Sequence, residues 1–384
     1  MKKICFVTTV SLTMKSFVVE TAKHLHETCG YDVTLICSPD EVFAASLPSY
    51  LHYIPVPMAR GIDLSALGSI RALKQIFQRE QFDLVQYSTP NASCYASLAA
   101  KAAGVPIRLY AQWGIRYVGM SGAARKVFRS IERMVCRLST HVRSVSPMNM
   151  AFGIQEKLYP AEKVSVIGNG GTIGVDMAAY GIEEKMQWRS ALREQYGIGP
   201  DDVVFGFAGR VSADKGCGEL FEAFQKISRG NEGAKLLVVG PFEHNCGVAK
   251  ELQDWANAYD GVILTGKVDS ADMKKYYAAM DVLVHPTYRE GFGMVIQEAG
   301  ALAVPVITTR IPGASEVMVD GESCLLVEPK NVRELAQAME RICAADGLAD
   351  RIGQAAYERT KLLYDRPIML ENQRKEYEKL LESW

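Results

Sequence analysis

Two doubly wound, Rossmann-like α/β domains with parallel sheets are the architecture that this sequence predicts, and three observations predict it. Short runs rich in Val, Ile and Phe alternate with longer amphipathic segments along the whole chain, the pattern of parallel strands covered by helices. Near the middle, Gly168-Asn169-Gly170-Gly171-Thr172-Ile173-Gly174 interrupts that pattern. The length of 384 residues exceeds one ordinary core and suits two domains of roughly 150–200 residues each.

In the first half, residues 4–8, 33–37, 84–87 and 142–145 read as strands buried on both faces, and 164–167 as a last strand. Helical stretches at 15–28 and 70–79 lie between them. Met-Lys-Lys followed by a short apolar run reads better as a first buried strand than as a signal peptide, since no small-residue cleavage site follows. The glycine-dense stretch then permits backbone turns closed to other residues, as an interdomain crossing needs; a surface loop within one domain is the alternative. In the second half the strands are 203–208, 235–239, 262–265, 282–285 and 306–308, with helices at 218–228, 273–279 and 332–344. Pro367 opens a last helix beyond this pattern. The expected division is 1–170 for the first domain, 171–366 for the second, and 367–384 for a helix packing back towards the first.

Composition narrows the function classes. Apolar residues are 48% and charged residues 23%, ordinary globular values, and no run of about 18 apolar residues could span a bilayer. Nine cysteines, an odd number without a C-x-x-C pair, point to reduced thiols in a cytoplasmic setting. The six histidines lack metal-ligand spacing, so no metal and no cofactor is expected. The net charge of −1 conceals an asymmetry: residues 1–175 carry 19 Lys/Arg against 11 Asp/Glu, the remainder 24 against 33. No nucleic-acid motif accompanies the basic half, so nucleic acid is not an expected partner, and an anionic membrane surface fits better.

The most informative stretch runs from His285 through Pro286-Thr287-Tyr288-Arg289-Glu290-Gly291-Phe292-Gly293-Met294-Val295-Ile296-Gln297 to Glu298-Ala299. It follows a strand and enters a helix, at the sheet edge where open α/β sheets bind ligands. Two glycines let a ligand approach the backbone, and the helix start offers unpaired N–H groups to a diphosphate. Glu290 precedes the turn and Glu298 follows it, so the two acids reach different hydroxyls of one ligand. Glu298 alone also reads as an ordinary helix-stabilising acid. A second element, Gly206 to Gly216, places Arg210 and Lys215 on a glycine-rich loop at the same edge. Together they can neutralise a departing diphosphate; singly, each reads equally as a solvated loop cation.

Gly209-Arg210 with Lys215-Gly216, the Glu290-Gly291-Phe292-Gly293…Glu298-Ala299 signature, Ala303-Val304-Pro305-Val306-Ile307 and Gly321-Glu322-Ser323-Cys324-Leu325-Leu326-Val327 closely resemble the retaining glycosyltransferases of family four, and the crossing 167–176 is similar to that family's interdomain stretch. The resemblance is strong over nearly all of the second half and rests on layout in the first. It implies the GT-B fold, with two sheets facing a central cleft. It also implies that Gly209, Arg210 and Lys215 hold the donor diphosphate and that Glu290 contacts the donor sugar. Gly291, Phe292 and Gly293 would present backbone amides, with Met294 and Val295 at the helix start beside them. Glu298 would meet the ribose, and Lys267 and Val268 would lie in the base-binding turn. Such enzymes work without a divalent metal.

The chain departs from many relatives in lacking a histidine near Gln112-Trp113-Gly114-Ile115-Arg116, in the turn after the fourth strand. Gln112 and Arg116 are the expected substitutes, and Thr13, Lys15 and Ser16 in the first-strand loop are further acceptor-side polar groups or, equally, helix caps. Residues 121–139 carry apolar side chains at helical spacing with Arg125, Lys126, Arg129, Arg133 and Arg137 around them and Glu132 as the one acid. This reads either as a basic amphipathic helix lying on anionic lipid or as a sheet-covering helix with solvated cations; the first half's positive excess favours lipid. The resulting expectation is transfer of a hexose or N-acetylhexosamine from a UDP-sugar to a lipid-diphosphate-linked saccharide in bacterial capsule, O-antigen or exopolysaccharide synthesis, at the inner face of the plasma membrane. A GDP-sugar donor, a soluble acceptor, a UDP-sugar 2-epimerase and a non-catalytic sugar-nucleotide binder are the alternatives.

Overall fold

The computed structural model describes residues 1–58 and 66–384. It separates into two compact units, Met1–Ile173 together with Pro367–Trp384, and Gly174–Arg366. In unit 1 the strands are β1 (Lys3–Val7), β2 (Asp32–Cys37), β3 (Leu51–Pro55), β4 (Leu84–Tyr87), β5 (Ile107–Gln112), β6 (His141–Ser144) and β7 (Val164–Val166). They form one sheet of order β3-β2-β1-β4-β5-β6-β7, parallel at every pairing. The edge strand β3 is not among the expected runs. Its His52, Tyr53 and Ile54 are exposed or half-buried, so it lacks the apolar run that marks a central strand.

The expected helix at 15–28 is two helices, Ser11–Phe17 and Val19–Cys29, parted at Val18. The last helix, Arg366–Glu382, buries Met369, Gln373, Tyr377 and Leu381, one residue per turn on one face. Tyr377 meets Phe6 edge-on at 5.9 Å and its hydroxyl donates to Gln86. Beside it, buried Arg143 of β6 pairs with Glu376. Two further bonds fix the helix in register: Thr21 to Gln373 at 3.1 Å and Gln373 to the Thr172 carbonyl at 2.8 Å.

Unit 2 carries β8 (Val203–Ala208), β9 (Ala234–Val239), β10 (Val262–Gly266), β11 (Val282–His285), β12 (Val306–Thr309) and β13 (Leu325–Val327) in the order β10-β9-β8-β11-β12-β13, again all parallel. Phe205, Phe207, Phe221, Phe224, Val238 and Val284 belong to one buried cluster. That core fixes the strand ends from which the site is built.

Candidate functional site

Chain order in unit 2 selects the ligand edge. After β8 the chain builds β9 and β10 on one side, then returns to place β11 on the other. The loops leaving the carboxyl ends of β8 and β11 therefore diverge, and a crevice opens where they part. Two contacts stitch these loops at their base. Tyr288 N–H and Thr287 Oγ1 donate to the Asp214 carbonyl at 2.9 and 3.3 Å. Gly216, at φ +71°, lies so near that a Cβ there would stand 2.0 Å from the Pro286 carbonyl oxygen. Only glycine permits that approach.

The consequence is a three-residue cluster. Lys215 Nζ lies 2.7 Å from Glu290 Oε2, and His285 Nε2 lies 3.1 Å from the same oxygen. The Gly291 amide donates to Oε1 at 3.1 Å. Burial pushes the Glu290 carboxyl up, but the hydrogen bond from His285 and the Lys215 charge outweigh it and hold the group well below its ordinary value. His285 is 1% exposed and stacks on Phe207 at 6.3 Å. Burial lowers its pKa against the upward pull of Glu290, so the imidazole is neutral and its Nε2–H donates to the carboxylate.

The other expected donor-side residues are placed as follows. Gly209 directly follows β8, and the Gly240 backbone packs on its carbonyl. Arg210 is half exposed and ion-paired with Glu243 of the loop after β9. The expected convergence of Arg210 and Lys215 is therefore not what the structure shows, since each cation has taken the carboxylate nearest to it. Lys267 is exposed and Val268 half-buried, just past β10. Phe292 is buried edge-on against Tyr364 at 5.6 Å. Gly293 caps the helix Met294–Gly300 at φ +57°, with Met294 and Val295 half-buried on its first turn. Glu298 accepts from Tyr277 Oη at 2.7 Å. His285, Tyr277 and Glu243 escaped the sequence reading; the one available signal was the position of His285 as the last residue of the strand entering the Glu290 loop.

Unit 1 corrects more. Thr13, Lys15 and Ser16 lie on the helix Ser11–Phe17 and not in a loop, because the chain turns helical within four residues of β1. The Gln112 turn follows the fifth strand, β3 having preceded it. Gln112 itself is buried with both ends of its amide engaged: Nε2 donates to Glu132 at 2.6 Å and Oε1 accepts from Tyr159 at 2.9 Å. It is thus part of the core and unsuited to an acceptor. Arg116 is exposed, its guanidinium 4.5 Å from the Phe128 ring centroid. On the helix Gly122–Leu138, Arg125 and Arg129 pair with Glu156 at 3.0 and 2.7 Å, while Arg129 and Arg133 also donate to its carbonyl. Glu156 ends the helix Pro147–Gln155, whose negative terminus draws cations. Three of the five expected lipid-facing cations are therefore turned onto a neighbouring helix. Lys126 and Arg137 are the exposed ones, as is Val127.

With the geometry in place, comparison with known proteins locates the chain. A solved glycosyltransferase from Rickettsia africae superposes with a TM-score of 0.80 at 21% identity, covering 100% of this chain and 99% of that one. The Anabaena protein Alr3699/HepE, solved with UDP and glucose, gives 0.80 at 20% identity over 99% and 100%. These likenesses establish the fold as GT-B. A family model described as Glycosyl transferases group 1 matches residues 189–359, and one described as Glycosyltransferase Family 4 matches 14–171. Over 330 residues the chain is 30% identical to the capsular polysaccharide biosynthesis glycosyltransferase CapM of Staphylococcus aureus, covering 85% of each. The chain belongs to glycosyltransferase family 4.

For a glycosyltransferase, the cluster after β8 and β11 offers an ammonium for a departing oxyanion and an ionised carboxylate for sugar hydroxyls. Its electrostatics also make a measurable prediction. Both His285 and Glu290 have pKa values below their ordinary 6.5 and 4.5, so on acidification the unfolded chain takes up protons before the folded glycosyltransferase does. Their contribution to stability is whole above pH 6.5 and is lost as pH falls. We expect the unfolding midpoint to drop between pH 7.5 and 5.5, and to drop less in His285→Gln, which keeps a donor but has no imidazole. Equal drops in the two proteins would refute the assignment.

Proposed function

We propose that this glycosyltransferase moves a hexose or N-acetylhexosamine from a UDP-sugar to a lipid-diphosphate-linked saccharide, with retention at the anomeric carbon and without a divalent metal. The observation that carries the reading is the Lys215–Glu290–His285 cluster at the switch point of unit 2. In this reading Lys215 and Arg210, the latter released from Glu243, meet the charge of the diphosphate, and the amides of Gly291 and Gly293 assist. Glu290 grips the sugar, Glu298 the ribose, and the Lys267–Val268 turn the base. Glu290 accepts from three donors, which blunts a carboxylate as a nucleophile. Front-face displacement follows. The anomeric C–O bond to the diphosphate breaks, the acceptor oxygen bonds to the same face, and the acceptor proton passes to the departing phosphate oxygen.

The UDP assignment draws on the likeness to Alr3699/HepE, solved with UDP and glucose, and the polysaccharide assignment on CapM. Among the described residues no helix is long and apolar enough to cross a membrane. Contact with an anionic inner-leaflet surface is supported by the first half's positive excess and by exposed Lys126, Val127 and Arg137. Incubation with UDP- and GDP-sugars, with and without lipid extract and chelator, tests the whole reading. We expect chelator-resistant transfer from a UDP-sugar that depends on lipid extract and gives a product of unchanged anomeric configuration by NMR. Transfer from GDP-sugars alone, to water-soluble acceptors alone, or with inversion would overturn the corresponding part.

A further inference from the structure

Glu298 stands in a setting that the donor-site reading does not use. It is half-buried on the helix Met294–Gly300, and two phenols from separate segments stand beside it. Tyr277, fully buried on the helix Met273–Ala279, donates to Oε2 at 2.7 Å. Tyr180, from the helix Met177–Tyr180, lies near enough to the same carboxylate for the Glu298 charge to add to burial in raising its phenol, and its ring centroid is 6.5 Å from that of Tyr277. Burial pushes the Glu298 carboxyl above its ordinary value, and the neighbouring phenols offset this only in part. Burial also holds both phenols well above their ordinary value, so they are donors at neutral pH.

A lone glutamate near a helix start samples several rotamers. One that accepts from a buried phenol, itself packed on a second, does not. A carboxylate offers about four acceptor sites; Tyr277 takes one, which leaves enough for both hydroxyls of a vicinal diol. We infer that Tyr277 and Tyr180 are positioning residues that fix Glu298 for the two ribose hydroxyls of the donor, and so set the preference for a ribonucleotide over its deoxy forms. This rests on the donor-site reading above and adds to it the origin of sugar discrimination in the nucleoside.

Calorimetric titration with UDP, 2′-deoxy-UDP and 3′-deoxy-UDP tests it on the full chain, comparing the unchanged protein with Tyr277→Phe, Tyr180→Phe and the double variant. We expect the unchanged protein to favour UDP over each deoxy form about tenfold, the worth of one hydrogen bond to a charged group. Each Phe variant is expected to lower that ratio to about threefold and the double variant to abolish it. A merely structural tyrosine would weaken all three ligands alike and leave the ratio unmoved, which would overturn the inference while sparing the donor site. Equal binding of the three ligands by the unchanged protein would overturn the ribose role of Glu298. No binding of UDP at all would overturn the donor-site reading itself.

Discussion

Lys215→Ala is expected to lower kcat about a thousandfold while the protein stays folded. The ammonium is the one cation of the cluster already held against Glu290, at 2.7 Å and 17% side-chain exposure, where water screens it weakly. Removing one such preorganised group from a developing oxyanion costs roughly 10²–10³ in rate. Lys215→Arg is not expected to rescue it, since a planar fork cannot reproduce the contact of a compact ammonium with Glu290. Arg210→Ala is expected to fall short of that, by about a hundredfold. Arg210 is half exposed and must first leave Glu243, so part of its attraction to a diphosphate is spent on that exchange. Single-turnover kinetics with enzyme in excess over donor separate chemistry from binding. Full activity in either alanine variant would refute a leaving-group role for that cation.

The second large effect falls on stability, in unit 1. Glu376→Ala is expected to destabilise this unit by about 3–5 kcal/mol, the range for stranding a buried charge. Arg143 keeps its bonds to Gln86 and Tyr377 but loses the carboxylate that offsets its desolvation. Replacing both partners, Arg143→Met with Glu376→Leu, is expected to restore much of the loss, because two apolar side chains leave nothing unpaired. Denaturant unfolding followed by probes in each unit would show the first transition moving and the second standing still. A loss under about 1 kcal/mol in Glu376→Ala would mean that water reaches Arg143.

What the sequence could disclose follows a physical line. Strand and helix alternation was readable because burial on both faces writes itself into contiguous residues such as Val203–Ala208. Glu290 and Lys215 were readable as candidates because glycines flank them. Their contact was not readable, since 75 residues separate them and the stitching of Gly216 onto Pro286 appears only when the sheet is assembled. His285 looked like the tail of a strand, and Tyr277 like one more apolar residue of a helix. The partners of the basic helix were hidden for the same reason. Glu132 stood out only as the one acid among five cations, whereas it is buried and bonded by Tyr110 and Gln112, and Arg125, Arg129 and Arg133 serve Glu156. Local periodicity tells which residues share a face; the partner opposite that face belongs to a distant part of the chain.

Unit 2 occupies residues 174–366, between the main part of unit 1 and its closing helix. A ribosome therefore delivers the whole second sheet before it delivers Tyr377 to Phe6 and Glu376 to Arg143. At roughly 5–20 residues per second, that interval lasts on the order of 10–40 s. Throughout it the nascent first sheet carries an uncompensated guanidinium on a face without its cover, so maturation order runs opposite to chain order: the later-made unit completes itself first.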